Sequence, residues 1–173
     1  NRCLVGSEMC IRDSPRSVAI IGASADPKKT SSRAQRFLVS HGYKGKIFPV
    51  NPNREEIFGL KCYPNLKSIN EHIDHIFIAV DSNKIIEAIK DAISKKVRCA
   101  TILSGGFTES GSEGNDLEKQ VFKIAKKGDL RILGPNSIGL INITDNVILS
   151  ANAMLELQAV SYTHLTLPTR IFV

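Results

Sequence analysis

The chain lacks several features that mark common functional classes. It contains no tryptophan, and aromatic residues make up only 6% of its 173 residues. No apolar run approaches the roughly 20 residues that a membrane-spanning helix needs, so we expect no membrane role. Basic residues exceed acidic ones, giving a net charge of +6. No basic run is interleaved with aromatic side chains, however, and nucleic acid is therefore not an expected partner.

Residues for metal and redox chemistry are also sparse. The chain has four cysteines and four histidines. Cys62 and Cys99 have no partner at the spacing of metal ligands, and the histidines form no cluster, so we expect no metal site. Cys99 lies within an apolar run and is interpreted as a buried core residue. This use of cysteine fits a reducing cytoplasm, which is the location we expect.

Neither end of the chain continues the pattern of its middle. Residues 1–14 and 155–173 show no helical or strand periodicity that connects to the rest. Both resemble translated adapter sequence, and genuine floppy termini are the alternative. We therefore interpret them as non-native or disordered flanks of one domain that spans residues 15–154.

The middle of the chain alternates apolar strands with amphipathic helices. Apolar runs predict five strands, at residues 17–21, 46–50, 74–80, 98–103 and 130–133. Helical spacing predicts helices over residues 31–42, after Asp81-Ser82, and over residues 114–127. We expect Ser31 or Ser32 to cap the first helix, and Gly128 to end the last one in the left-handed conformation. The alternation predicts an α/β fold, a Rossmann-like, doubly wound parallel sheet of about five strands in a single three-layer αβα domain.

The residues that follow the strands predict a binding site. In doubly wound sheets, ligands bind outside the carboxyl ends of the strands. Small or turn-forming residues stand at most of those ends in this chain: Gly22-Ala23-Ser24, Asn51-Pro52, Ser104-Gly105-Gly106 and Gly134-Pro135-Asn136. Such residues allow a ligand to approach the backbone closely. Their convergence on one edge of the sheet predicts a nucleotide-type site.

The same residues narrow the choice of nucleotide. The first turn lacks the G-x-G-x-x-G pattern, and no carboxylate ends the second strand to bind ribose hydroxyls, which disfavours NAD. Arg54 stands there instead, and its guanidinium suits a ribose phosphate, as in NADP or at the 3′ position of coenzyme A. Pro27 has no N–H and Asp26 is negative, so only part of the turn can cradle phosphate. Further donors can come from Ser24, Lys28, Lys29, Thr30, Ser31 and Ser32.

Longer motifs carry a family resemblance. They are SVAIIGAS at residues 17–24, FLVSHGY at 37–43, IFPVNP at 47–52, SGGFTESGSEG at 104–114 and LGPNSIGLIN at 133–142. Over about residues 14–154 the chain resembles the N-terminal CoA-binding domain of the nucleoside-diphosphate-forming (NDP-forming) acyl-CoA ligases. These are the ADP-forming acetate–CoA ligases and their kin, a superfamily that includes the succinyl-CoA ligase α subunit. The last two motifs favour the ligases over a small standalone CoA-binding protein.

The resemblance implies a site for coenzyme A. The first turn would face the pyrophosphate or the ribose phosphate through Gly22, Ser24, Ala25, Asp26 and Pro27. Arg54 would lie near the nucleotide end, and Asn51, at the end of the second strand, belongs to the same predicted site. The pantetheine arm would pass Val80, Leu103, Ser104, Gly105 and Gly106, and its thiol end would lie toward Glu109 and Asn136. The chain departs from the family at Thr30-Ser31-Ser32, where many members have glycines, and at Ser137, where a cysteine is frequent.

The resemblance also implies an activity for a larger protein. The parent reaction converts acyl-CoA, ADP or GDP, and phosphate to a carboxylic acid, CoA, and ATP or GTP. In it this domain would position the thiol for attack on an acyl phosphate. The expected partners are a small carboxylic acid or acyl-CoA and the other ligase domains, which carry a phosphohistidine and an ATP-grasp fold. Neither domain is recognised in this sequence, so we expect the fragment to bind CoA without completing the reaction. A standalone CoA-binding regulatory protein and an NAD(P)-binding oxidoreductase domain are the alternatives.

Overall fold

The computed structural model describes residues 14–156, so the predicted flanks, residues 1–14 and 155–173, fall almost entirely outside the described range. In chain order, the strands and helices are β1 (Ser17–Ile21), α1 (Thr30–Ser40), β2 (Lys46–Val50), β3 (Glu56–Ile57), β4 (Leu60–Lys61), β5 (His75–Ile78), α2 (Ser82–Ser94), β6 (Cys99–Ile102), α3 (Ser112–Lys127), β7 (Arg131–Leu133), β8 (Gly139–Asn142) and β9 (Val147–Ser150). Short 3₁₀ helices lie at Leu66–Ser68, Thr108–Ser110 and Ala153–Glu156.

Five of these strands form one parallel sheet. Their order is β2-β1-β5-β6-β7, and every neighbouring pair runs in the same direction. The predicted Rossmann-like, doubly wound sheet is therefore confirmed. β1 and β2 have the bounds expected from the sequence, and the other strands of the sheet are shorter than their apolar runs. The strand order reverses between β1 and β5, which is the position where open α/β sheets bind ligands.

The sheet is buried on both faces, because successive side chains of a strand point to opposite sides. On one face, Ala19, Ile76 and Ala100 belong to a core cluster that includes apolar residues of α2 and α3. On the other face, Val18 and Phe77 belong to a second cluster with residues of α1 and β9. Double burial explains why the strands appear in the sequence as nearly continuous apolar runs.

A β-hairpin completes the second face. β8 pairs antiparallel with β9, and Val147 and Leu149 of β9 are buried in the same cluster as Ala34 and Leu38 of α1. The hairpin therefore helps α1 to cover this side of the sheet. The sequence did not predict it, because residues 134–139 indicate only a turn after the last strand of the sheet.

Two helix ends differ from expectation. Lys29 is the N-cap of α1, and no side chain caps this helix. Because the helix begins one residue earlier than expected, Ser31 and Ser32 lie in its first turn, and the Ser32 hydroxyl donates to the Lys29 carbonyl at 2.7 Å. Gly128 ends α3 with φ −94°, outside the left-handed region, and Asp129 adopts that region with φ 53°. The predicted serine cap and the left-handed Gly128 are therefore wrong.

The described residues also bear on metal, thiol and membrane predictions. Between residues 14 and 156, no group of three or more histidine, cysteine or acidic side chains comes together to hold a metal ion. Cys99 is 3% exposed, which confirms it as a core residue. None of the helices in this range has the length and apolar character needed to cross a bilayer.

Candidate functional site

A cleft of about 640 Å³ lies at the carboxyl ends of β1, β5 and β6. It is lined by three segments, residues 28–31 before and within α1, residues 79–82 after β5, and residues 103–105 after β6. Its volume lies within the range of roughly 300–1,000 Å³ that small-molecule sites occupy. The cleft also coincides with the reversal of strand order, so the fold and the surface shape point to the same site.

Gly22 allows the ends of β1 and β5 to meet beneath the cleft. Its φ is +84°, and a Cβ there would lie 2.4 Å from the Ala79 carbonyl oxygen and 2.8 Å from Val80 Cγ1. The Gly22 N–H donates to the Val50 carbonyl oxygen at 3.0 Å. Gly22 is therefore a structural residue that packs against two lining residues without lining the cleft itself, and its backbone N–H is already engaged.

The rest of the first turn is held together by its own hydrogen bonds. Asp26 N–H donates to Ser24 Oγ at 3.1 Å, Lys28 N–H donates to Asp26 Oδ1 at 2.9 Å, and Lys29 N–H donates to the Asp26 carbonyl at 3.1 Å. Pro27 has no N–H to offer. Ser24, Ala25, Asp26 and Pro27 lie beside the cleft and are not among its lining residues. Their contact with a ligand stays a prediction.

The basic side of the cleft is formed by the next four residues. Lys28, Lys29, Thr30 and Ser31 line it, and Thr30 and Ser31 form the first turn of α1. That turn has no side-chain cap and no acidic residue. The positive end of the helix dipole and two ammonium groups therefore act on the same part of the cleft.

Two strand ends form the opposite wall. Val80, Leu103, Ser104 and Gly105, all predicted from the sequence, are brought together here. Ser104 Oγ donates to the Val80 carbonyl, and Leu103 N–H donates to the Ile78 carbonyl at 3.0 Å. Val80 and Leu103 are half-buried and also pack against core clusters. This wall offers partly apolar side chains and close backbone to a ligand.

Gly106, Glu109 and Asn136 form a cluster beside that wall. Glu109 Oε1 accepts the Gly106 N–H at 2.7 Å and lies 3.0 Å from where a Cβ of Gly105 would stand. Asn136 N–H donates to the Ser104 carbonyl at 3.2 Å, in a left-handed conformation with φ 53°. Backbone N–H groups of Glu109 itself, Gly106 and Phe107 lower the pKa of the Glu109 carboxyl. Glu109 is therefore a fixed negative charge at neutral pH.

The two predicted residues after β2 have different environments. Asn51 Nδ2 donates to the Ala23 carbonyl at 2.8 Å, and Asn51 Oδ1 accepts the Asn53 N–H at 2.9 Å. Its amide therefore ties the loop after β2 to the first turn. Arg54 is exposed, does not line the cleft, and forms no ion pair with another residue of the described range.

Sequence reasoning missed part of the lining. Ala79, Asp81 and Ser82 contribute to the cleft but are not among the predicted site residues. The available signal was their position at the carboxyl end of the apolar run at residues 74–80 or directly after it. Asp81 gave no further signal, because a carboxylate is not expected beside a polyanionic ligand.

Comparisons with known proteins agree with the fold. The family described as a CoA binding domain matches residues 16–143, a range that contains every predicted site residue. Acetate–CoA ligase (ADP-forming) II of Archaeoglobus fulgidus is 40% identical over 136 residues, which are 79% of this chain and 20% of that protein. Acetate–CoA ligase (ADP-forming) II subunit alpha of Pyrococcus furiosus is 37% identical over 133 residues, 77% of this chain and 29% of the subunit.

A solved structure agrees with these relatives. It is the dinucleotide forming acetyl-coenzyme A synthetase 1 of Ca. Korarchaeum cryptofilum in complex with phosphate and ADP, with a TM-score of 0.77 and 34% identity. The match covers 82% of this chain and 30% of that one. The chain thus spans less than a third of the length of any of these three relatives. It belongs to the CoA-binding domain family and is homologous to the NDP-forming acyl-CoA ligases.

Proposed function

We propose that this chain binds coenzyme A in the cleft and serves as the CoA-binding part of an NDP-forming acyl-CoA ligase. One observation carries the proposal: a single cleft joins an uncapped helix N-terminus with two lysines to a half-buried wall of strand ends. Coenzyme A has two corresponding parts, a phosphorylated nucleotide and an uncharged pantetheine arm. The family match supports the same ligand.

The phosphates are assigned to the side of the cleft formed by residues 28–31. An anion at a helix N-terminus gains roughly 0.3–1 kcal/mol at an exposed position, and a hydrogen bond from a charged donor contributes about 1.5–3 kcal/mol. Lys28, Lys29 and the first turn of α1 supply both contributions. Arg54, in the loop after β2, is assigned to the 3′-phosphate, because it is an exposed guanidinium without an ion pair among the described residues.

The pantetheine arm is assigned to the wall formed by the ends of β5 and β6. Val80 and Leu103 offer apolar surface, and Gly105 has no side chain to obstruct the arm. The thiol would then lie toward Glu109 and Asn136. These assignments follow the order of the strands in the sheet, from β2 through β1 and β5 to β6.

The chemical contribution of the domain is to position the thiol. Glu109, the carboxylate assigned nearest to the thiol, has a lowered pKa and is therefore a weak proton acceptor at neutral pH. Holding the thiol where an acyl phosphate can be attacked accelerates the reaction through proximity. In the longer protein, other domains would form the acyl phosphate from a carboxylic acid and ATP or GTP, with release of ADP or GDP, and attack by the thiol would then give acyl-CoA and phosphate.

Calorimetric titration of the chain with CoA, NADP and NAD tests the ligand. We expect saturable binding of CoA, weaker binding of NADP and weakest binding of NAD, because only the first two carry a phosphate on the ribose and only CoA carries a pantetheine arm. Tight NADP binding without a response to CoA would instead assign the domain to an oxidoreductase.

The uninterrupted genomic reading frame tests the larger protein. A frame that encodes a phosphohistidine domain together with this one supports the ligase. A complete frame that encodes this domain alone would favour a standalone CoA-binding protein and contradict the ligase part of the proposal.

A further inference from the structure

Asp81 lines the cleft directly after β5, and the assignments above leave its carboxylate without a role. It is the N-cap residue of α2, where an aspartate usually accepts a hydrogen bond from the backbone of its own helix. The Asp81 side chain makes no such bond. It also forms no ion pair with any residue between positions 14 and 156. The exposed carboxylate is therefore available to a ligand.

Three backbone carbonyls near Asp81 already accept hydrogen bonds. The Val80 carbonyl accepts the Ser104 hydroxyl, and the Asp81 carbonyl accepts the Lys84 N–H at 2.9 Å. The Ser104 carbonyl accepts the Asn136 N–H at 3.2 Å. A ligand N–H donor at these three carbonyls would share them with existing hydrogen bonds, whereas no cap hydrogen bond or ion pair of the described residues occupies the Asp81 carboxylate.

The charge of Asp81 also restricts which part of the ligand can lie beside it. A carboxylate repels phosphate, and Coulomb repulsion grows as water is excluded from a cleft. The two lysines line the cleft from the α1 side, whereas Asp81 lines it from the β5 side. This separation of charge directs the phosphates to the lysines and the uncharged arm to Asp81.

We infer that Asp81 is a specificity residue whose carboxylate accepts a hydrogen bond from an amide N–H of the pantetheine arm. The inference rests on the proposed function, because it takes coenzyme A as the ligand of the cleft. Asp81 would thus add specificity to the site. It favours a ligand that places an amide N–H at the end of β5, and it disfavours a ligand that places a phosphate there.

Calorimetry of Asp81→Ala and Asp81→Asn with two fragments of CoA tests this inference. The fragments are 4′-phosphopantetheine and adenosine 3′,5′-bisphosphate, and CoA is titrated as the reference. We expect Asp81→Ala to weaken CoA and 4′-phosphopantetheine about tenfold, as expected for the loss of a hydrogen bond to a charged group. Asp81→Asn keeps an oxygen acceptor without the charge, so we expect a smaller loss. Binding of adenosine 3′,5′-bisphosphate should stay within about twofold of the wild type or tighten, since a repulsive charge is removed.

A matched control is Asp116→Ala, an exposed aspartate on α3 that does not line the cleft. It should leave all three affinities unchanged, and thermal melts should show that each variant folds. If the wild-type chain binds CoA and the Asp81→Ala variant binds it equally or more tightly, this inference is overturned and the proposed function is unaffected. An equal loss for both fragments also overturns it, since Asp81 would then act on the cleft as a whole. A folded wild type that does not bind CoA contradicts the proposed function itself.

Discussion

Replacing Gly22 by alanine tests how closely the ends of β1 and β5 meet beneath the cleft. Two costs follow from the structure. Gly22 has φ +84°, a conformation that costs an L-residue roughly 1–2 kcal/mol. The new Cβ would also lie 2.4 Å from the Ala79 carbonyl oxygen, so the two strand ends must separate. Overpacking of this kind costs typically about 1–3 kcal/mol.

Together these terms span roughly 2–5 kcal/mol, and we expect Gly22→Ala to lower the free energy of unfolding by about 3 kcal/mol. For a domain of this size, the corresponding fall in melting temperature is roughly 6–12 °C. Urea denaturation, followed by far-UV circular dichroism, measures the change. Because Ala79 and Val80, which line the cleft, must shift, CoA binding should weaken as well.

Gly42→Ala is the matched control. Gly42 also has positive φ, +71°, but no atom lies within 4 Å of its missing Cβ. This variant carries the conformational cost without the steric one, and we expect a loss of about 1 kcal/mol. The difference between the two variants isolates the contact between the strand ends. Equal losses for Gly22→Ala and Gly42→Ala would refute the close approach.

Three further predictions concern charges. The double variant Lys28→Ala/Lys29→Ala should weaken CoA binding about tenfold or more and reduce the salt dependence of that binding. The control removes the lysine pair 126–127 on α3, and it should leave the CoA affinity nearly unchanged. Arg54→Ala should weaken CoA more than dephospho-CoA, by about 1–3 kcal/mol in calorimetry, because only CoA carries the 3′-phosphate. The pKa of Glu109 is lowered in the folded state by backbone N–H groups, so its ionised form contributes stability above the ordinary pKa of a glutamate, and this stability is lost as the pH falls through the lowered pKa. Denaturation of wild type and Glu109→Gln should therefore show a stability difference that is constant near neutral pH and shrinks below about pH 4.5.

Each of these has a contrary outcome. An unchanged CoA affinity in the double lysine variant would contradict the assignment of the phosphates to the N-terminus of α1. Equal losses of affinity for CoA and dephospho-CoA in Arg54→Ala would contradict the assignment of Arg54 to the 3′-phosphate. A stability difference at Glu109 that does not vary between pH 3 and pH 7 would show that its carboxyl is not held by the surrounding N–H groups.

The sequence predicted the sheet and one wall of the cleft for a physical reason. The strands of a covered parallel sheet are buried on both faces, so their apolar runs are nearly continuous and easily found. Residues that follow such strands meet at one edge of the sheet, and this rule predicts that Ser104 and Gly105 lie there, whereas the placement of Val80 and Leu103 in the site came from the family resemblance. The family motifs independently identified the ligand class.

Other features depend on contacts that the sequence does not display. Whether the first turn offers its N–H groups depends on Ser24 and Asp26, whose side chains accept them within the turn. The hairpin β8–β9 is recognisable only through its burial against α1. Asp81 is a candidate only because its side chain does not cap α2, which is a feature of the folded chain.

Hydrogen–deuterium exchange of the chain with and without CoA tests the central claim most directly. CoA should slow amide exchange at residues 28–31, 79–82 and 103–105, the three segments that line the cleft. Exchange in the hairpin β8–β9, on the face covered by α1, should change little. Saturation with CoA that leaves all three lining segments unprotected would contradict the assignment of this cleft as the coenzyme A site.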